Sequence, residues 1–298
     1  MSWSNEASVR VPGGRIAYTD VGEGRPVLLL HGFPMSSLLW RRDVPLLASR
    51  MRVIVADLLG FGASDAKGSA DLSAPAQAKC LGALLAVLGI DEVAVVGHGA
   101  GGAVALRMAL DVEGPRVGCL VVMDAPAFED RPLGGVGMAP ELLGGAPGPG
   151  DVAAAMGRII DRGVSRAGRV DEETRRAYLD PWVADPARFL RAGRAALAAG
   201  LSEGGEDLAR LDIPVFLIWG EDDPFVPIDT AERLQEHLAG STLALLPGCS
   251  HFVTEEAPAT VGPLVHEYLR SRYLAEGHAH AGASGPIPVF LERPRGEG

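Results

Sequence analysis

The stretch EVAVVGHGAGGAVALRMAL, residues 92–110, decides how this chain is read. Its first part, Glu92 to Gly97, is an apolar run without polar alternation, the pattern of a strand covered on both faces. Its last part, 100–110, has the length and composition of a helix. Between them Gly97, Gly99, Gly101 and Gly102 let the strand turn sharply into the helix. Working outward, PVLLL (26–30), RVIVAD (52–57) and RVGCLVVMD (116–124) are apolar runs of the same kind, and 37–50 and 74–89 are of helical length. ASVRV and RIAYTD flank a Pro12-Gly13-Gly14 turn and predict a hairpin. Beyond residue 210 the rhythm resumes, with IPVFLIWG (213–220) and STLALLPG (241–248) as strands and 228–239 and 257–274 as helices. The pattern predicts an α/β fold: a mostly parallel, eight-stranded sheet with helices on both faces.

Residues 126–210 interrupt that rhythm. The stretch 132–150 holds seven glycines and four prolines, which predicts irregular backbone. Three helices should follow, signalled by Asp151, by Asp171, and by Asp185 with Pro186 at the first helical position. An insertion after a strand end suits a helical cap over the site, with residues 1–125 and 211–274 forming the core. The tail, 275–298, is Gly/Pro-rich without periodicity and reads as disordered; its His278 and His280 are weak evidence for a metal.

Composition narrows the function. Of 298 residues, 47% are hydrophobic and 22% charged, an ordinary globular balance. The net charge of −11, with no basic cluster, argues against nucleic acid and anionic membrane as partners. No apolar run approaches the ~20 residues of a spanning helix, and the N-terminus lacks a secretory pattern. Cys80, Cys119 and Cys249 lie far apart and form neither a disulfide framework nor a metal-ligand spacing. The expectation is a cytoplasmic protein with a small-molecule substrate and no cofactor.

Five motifs fall at the ends of predicted strands. They are His31-Gly32-Phe33-Pro34, the stretch from Asp57 to Asp65, Gly97 to Gly102, Gly220-Glu221-Asp222-Asp223-Pro224, and Gly248-Cys249-Ser250-His251-Phe252. With these motifs in this order, the chain resembles the α/β-hydrolase fold family over about residues 8–274. It looks closest to the capped branch of haloalkane dehalogenases, epoxide hydrolases and small esterases. The resemblance implies that His251 is the catalytic histidine. It makes Asp223 the acid that orients His251, with Asp222 a neighbouring competitor and Asp124 the position some members use instead. It also implies an oxyanion hole from the backbone N–H groups of Phe33 and Ala100.

One position departs from the pattern. The family places Ser, Cys or Asp between the elbow's flanking residues, and here that residue is Gly99. Glycine has no side chain, so no acyl- or alkyl-enzyme can form at this position. Ser250 and Cys249 adjoin His251, but neighbouring loop residues usually point apart; Ser36 and Ser37 suit a turn or cap. His98, Trp40 and Trp182 read as packing residues, and Glu255 and Glu256 as acids at the start of the last helix. Two functions follow. One is an enzyme without a covalent intermediate, His251 acting as base on water or substrate in an atypical hydrolase, lyase or cyclase reaction. The other is a catalytically silent member that binds a small molecule or a protein, or an esterase or epoxide hydrolase whose nucleophile was engineered to glycine.

Overall fold

Runs of Val, Leu and Ile without polar alternation become the centre of a twisted sheet. The computed structural model describes residues 4–128, 145–166, 169–198 and 206–275. Its strands are β1 (Ala7–Val11), β2 (Gly14–Val21), β3 (Pro26–Leu30), β4 (Arg52–Ala56), β5 (Asp65–Ala66), β6 (Glu92–His98), β7 (Arg116–Met123), β8 (Val215–Gly220) and β9 (Thr242–Leu246). They run in the order β1-β2-β4-β3-β6-β7-β8-β9, and the two-residue β5 adds to β2. Pairing is antiparallel at the β1-β2 hairpin and between β2 and β4. From β4 through β9 it is parallel. Residues 27–30, 53–56, 93–96 and 119–123 have no exposed surface. Each large aliphatic side chain so buried contributes roughly 1.5–3 kcal/mol.

The helices of the core are α1 (Val44–Leu47), α2 (Ala74–Val87) and α3 (Ala100–Leu110), and, after the insert, α7 (Ile228–His237), α8 (Val253–Glu256) and α9 (Pro258–Leu269). α2 packs on α3, and α1 packs on α9, in two sets that cover the sheet. One predicted helix is broken where proline intervenes, and another changes its winding near its end. Residues 37–50 split into a 3₁₀ turn at Ser37–Trp40 and α1, whose first turn holds Pro45. Pro45 lacks the N–H that a continuous 37–50 helix would need at that point. The predicted 257–274 helix is present as α9, with Pro258 in its first turn and Pro263 inside it, continued by a wider turn at Arg270–Leu274.

The interruption between β7 and β8 contains α4 (Pro149–Arg162), α5 (Glu172–Ala184) and α6 (Pro186–Leu197). Asp171 and Asp185 cap α5 and α6 by accepting the N–H groups of Thr174 and Arg188. Asp151 has a different place: Gly148 is the N-cap of α4, and Asp151 reaches back to its N–H at 2.9 Å from the first turn. Helix already begins at Pro149; residues 132–144 of the predicted irregular stretch lie outside the described residues, as does the tail from 276 with His278 and His280. The insert lies over the C-terminal ends of the strands. The Trp182 indole N–H donates to the Pro34 carbonyl at 2.7 Å, and its ring meets Phe33 and Phe61. Arg188 donates to the carbonyls of Gly60 and Gly62.

A buried ion cluster fastens the insert on another side. Arg41 forms a two-point pair with Glu255, whose side chain has no exposed surface, and the Tyr178 hydroxyl donates to the same carboxylate. Asp43 sits beside this cluster, with both carboxyl oxygens buried and unpartnered among the described residues. Burial first, then the Glu255 charge, pushes its carboxyl up to about 7. The fold therefore holds a proton there that the unfolded chain releases at lower pH, and stability falls as pH rises towards 7. Asp43→Asn should change little at pH 3.5 and should stabilise by on the order of 4 kcal/mol at pH 8, as read by urea unfolding at the two pH values. Among the described residues no helix is long and apolar enough to cross a membrane.

Candidate active site

The chain leaves β3 towards β4 on one side and later leaves β6 towards β7 on the other, so a crevice opens between the ends of β3 and β6. The loop after β3 carries Gly32 and Phe33; the turn after β6 carries Gly99 and Ala100. The two approach so closely that a Cβ on Gly32 would stand 2.8 Å from the His98 carbonyl oxygen and 3.1 Å from Gly99 Cα. Cβ atoms at Gly97 or Gly101 would collide with neighbouring carbonyls, which is why this turn is built of glycines.

Gly99 itself has φ +55° and ψ −129°, and its N–H donates to the Met123 carbonyl at 2.9 Å. L-residues enter such backbone only under strain of ~1–3 kcal/mol. A Cβ built there would point at the base: it would lie 3.5 Å from His251 Nε2 and 3.4 Å from Gly32 Cα, ordinary contact distances. Space therefore admits a side chain at 99, and only the backbone resists it.

His251 lies on the loop after β9 and is buried to 4% exposure. Its Nδ1 is 2.8 Å from Asp223 Oδ2, and the other Asp223 oxygen accepts the N–H groups of Phe225 and Val226. The carboxylate is thus oriented by its own turn before it meets the imidazole. Asp222, the competitor, is exposed. Asp124 stands at the end of β7 with φ +45°, its Oδ1 accepting the Gly220 N–H at 2.9 Å. Its carboxyl is pushed well above the usual carboxylate range, chiefly by burial and then by the Asp223 charge. Nδ1 of His251 bonds Asp223 and not Asp124.

His98 does more than fill space. Its Nε2 donates to the His251 carbonyl at 2.8 Å and its ring packs edge-on against His251. Burial lowers His98 to about 3, so it remains a neutral donor at physiological pH. Glu255 and Glu256 lie in the first turn of α8, just ahead of the last helix that the sequence reading gave them, and both are buried anchors. Long-range partners such as Arg41 carry no local signal, so the sequence offered none.

Phe33, Gly99, Ala100, Ile159, Ala196, Phe225 and His251 line a cavity of about 10 Å³, room for the centre of one water-sized group. The backbone N–H groups of Phe33 and Ala100 bond to none of the described residues. At the start of α3 the Ala100 N–H has no partner within its own helix.

The family model described as the Alpha/beta hydrolase family matches residues 27–262. The chain belongs to this family. A 2-hydroxy-6-oxononadienedioate/2-hydroxy-6-oxononatrienedioate hydrolase of Paraburkholderia xenovorans is 28% identical, over 89% of this chain and 96% of its own length. The structure of a meta-cleavage product hydrolase from Pseudomonas fluorescens superposes with a TM-score of 0.75 at 25% identity, covering 89% of this chain and 97% of that one. An esterase from Rhodococcus sp. gives a TM-score of 0.75 at 26% identity, covering 89% and 98%.

In this α/β hydrolase, Nε2 of His251 faces Gly99. No serine, threonine or cysteine lines the cavity among the described residues. Ser250 Oγ donates away from the site, to the Arg162 carbonyl at 3.1 Å. Burial pushes the Cys249 thiol up to about 11, which keeps it protonated and poorly nucleophilic at neutral pH. Ser37 is bonded into the core, its N–H donating to Asp57 at 2.7 Å.

Proposed function

We propose that this chain is an enzyme that acts on a small, mostly apolar molecule without a covalent intermediate. His251, oriented by Asp223, serves as general base on a water or on a substrate proton. The observation that carries the reading is the geometry around Gly99: an imidazole Nε2 faces the elbow across a space the size of one water, and the elbow has no side chain to attack with. In this reading His251 takes a proton from the group beside Gly99. The developing oxyanion is met by the N–H groups of Phe33 and Ala100. The proton then returns to the leaving group, so the imidazole ends the cycle as it began. Base catalysis supplies ~10²–10⁴-fold and a single oxyanion donor ~10²–10³-fold, so useful rates need no covalent step.

The apolar side chains of Phe33, Ile159, Ala196 and Phe225 favour a substrate that is uncharged at its reacting end. Residues 126–210 serve as a cap in this scheme, because Ile159 and Ala196 complete the cavity wall. The hydrolases among the relatives support hydrolysis as one reaction; lyase or cyclase chemistry uses the same base and the same donors.

Turnover in ¹⁸O-labelled water, followed by intact-protein mass spectrometry under single-turnover conditions, tests the proposal. A hydrolytic substrate should carry ¹⁸O straight into product while the protein mass never changes. A transient mass increase would overturn the non-covalent mechanism. Ligand binding without turnover across esters, epoxides and β-diketones would favour the silent, binding reading instead.

A further inference from the structure

His251 is held from two sides. The core side fixes its imidazole through Asp223 and its carbonyl through His98. The backbone on either side of it is held by the insert. The N–H of Phe252 donates to the Gly163 carbonyl at 2.9 Å, and Ser250 Oγ donates to the carbonyl of Arg162. Glu256 joins both sides in one group. One of its oxygens accepts the N–H of Ser250, the residue before His251, and the other accepts the N–H of Ser165, just beyond α4; both distances are 2.6 Å. Its residue is only 5% exposed; its bond to Ser250 is buried, and its bond to Ser165 reaches the surface. The Phe252 ring also presses on Gly163 so closely that a Cβ there would collide with it.

We propose that Glu256 is a positioning residue that makes the placement of His251 conditional on docking of the insert. The cavity beside Gly99 holds little more than one water, and insert residues Ile159 and Ala196 form part of its wall. A substrate larger than that enters only when the insert parts from the core. Parting it breaks the Ser165 bond to Glu256 and the Phe252 bond to Gly163, and releases the peptide on both sides of the histidine. Redocking over a bound molecule restores them. The base is then set only when the site is closed, and an open site does not present an ordered imidazole to bulk water. This coupling is independent of which bond His251 acts on.

Histidine-labelled protein read by NMR tests it without a substrate. The signals to follow are the His251 ring and its Nδ1-bound proton, assigned by their loss in His251→Gln. Glu256→Ala removes the bridge from the core side; Gly163→Ala pushes the insert off Phe252 without touching Glu256 or the His251–Asp223 pair. Each should raise the exchange rate of the Nδ1 proton with water by at least tenfold and shift the ring signals. The signals of His31, which is bonded to the Leu58 N–H in the core, should stay in place. Glu256→Gln, which keeps one acceptor, should fall between wild type and Glu256→Ala. A purely structural role for Glu256 would lower the melting temperature and leave the His251 signals of the folded protein where they were; that result overturns the proposal. If Glu256→Ala does not fold, unmoved His251 signals in Gly163→Ala overturn it equally.

Discussion

Replacing His251 by alanine should reduce turnover by ~10²–10⁴-fold, to the level left by binding and the oxyanion donors alone. The expectation rests on the absence of any other base: among the described residues no further titratable side chain lines the cavity. Asp223→Asn should reduce kcat by ~10³–10⁴-fold with little change in KM. The amide can still bond Nδ1, but it favours the wrong tautomer and removes the charge that stabilises the imidazolium. Asp124→Asn should leave kcat close to that of wild type, because His251 bonds Asp223 and Asp124 is engaged with the Gly220 N–H. Steady-state kinetics of the three variants decide the matter. Full activity in His251→Ala refutes the base. Loss in Asp124→Asn with none in Asp223→Asn moves the orienting acid to the end of β7.

Gly99→Ser should convert the protein into one that reacts with serine-directed fluorophosphonates, which leave the wild type unlabelled. A Cβ at 99 stands 3.5 Å from His251 Nε2, so an Oγ lies within reach of the base while the N–H groups of Phe33 and Ala100 remain available. The same change places a side chain in backbone at φ +55°, and should destabilise the fold by ~1–3 kcal/mol. Labelling of position 99 by mass spectrometry, together with a lowered urea midpoint, checks both halves. Labelling of the wild-type chain at any residue would expose a nucleophile elsewhere and refute the non-covalent reading. Equal stability of the variant would show that the strain at this turn is absent.

These expectations draw on what the sequence states locally. The strands were legible because residues such as 26–30 and 92–96 are apolar without interruption, which only a sheet covered on both faces accommodates. The turn at Gly99 was legible because four glycines crowd into six residues between a strand and a helix. The break in the 37–50 helix was harder to read: apolar spacing continues across Pro45 while hydrogen bonding does not. The roles of Glu255 and Glu256 were not legible at all. An acidic pair ahead of a helix reads as helix-start acids until its partners are known, and Arg41 lies 214 residues from Glu255 while Ser165 lies 91 from Glu256. His98 was hidden for a related reason, since its partner is a backbone carbonyl 153 residues away.

The indole of Trp182 gives the closed site an optical signature. It lies in the insert, 2% exposed, with its N–H on the Pro34 carbonyl and its ring among Phe33, Phe61 and Phe189. Trp40 and Trp219 are buried outside the insert, Trp219 tied to the Val226 carbonyl. Excited indole emits at longer wavelength in water than in an apolar wall, so lifting the insert reddens the light of Trp182 and leaves that of Trp40 and Trp219 where it was. The protein thus carries, next to the loop that presents Phe33, an intrinsic fluorophore whose colour follows whether the site is shut.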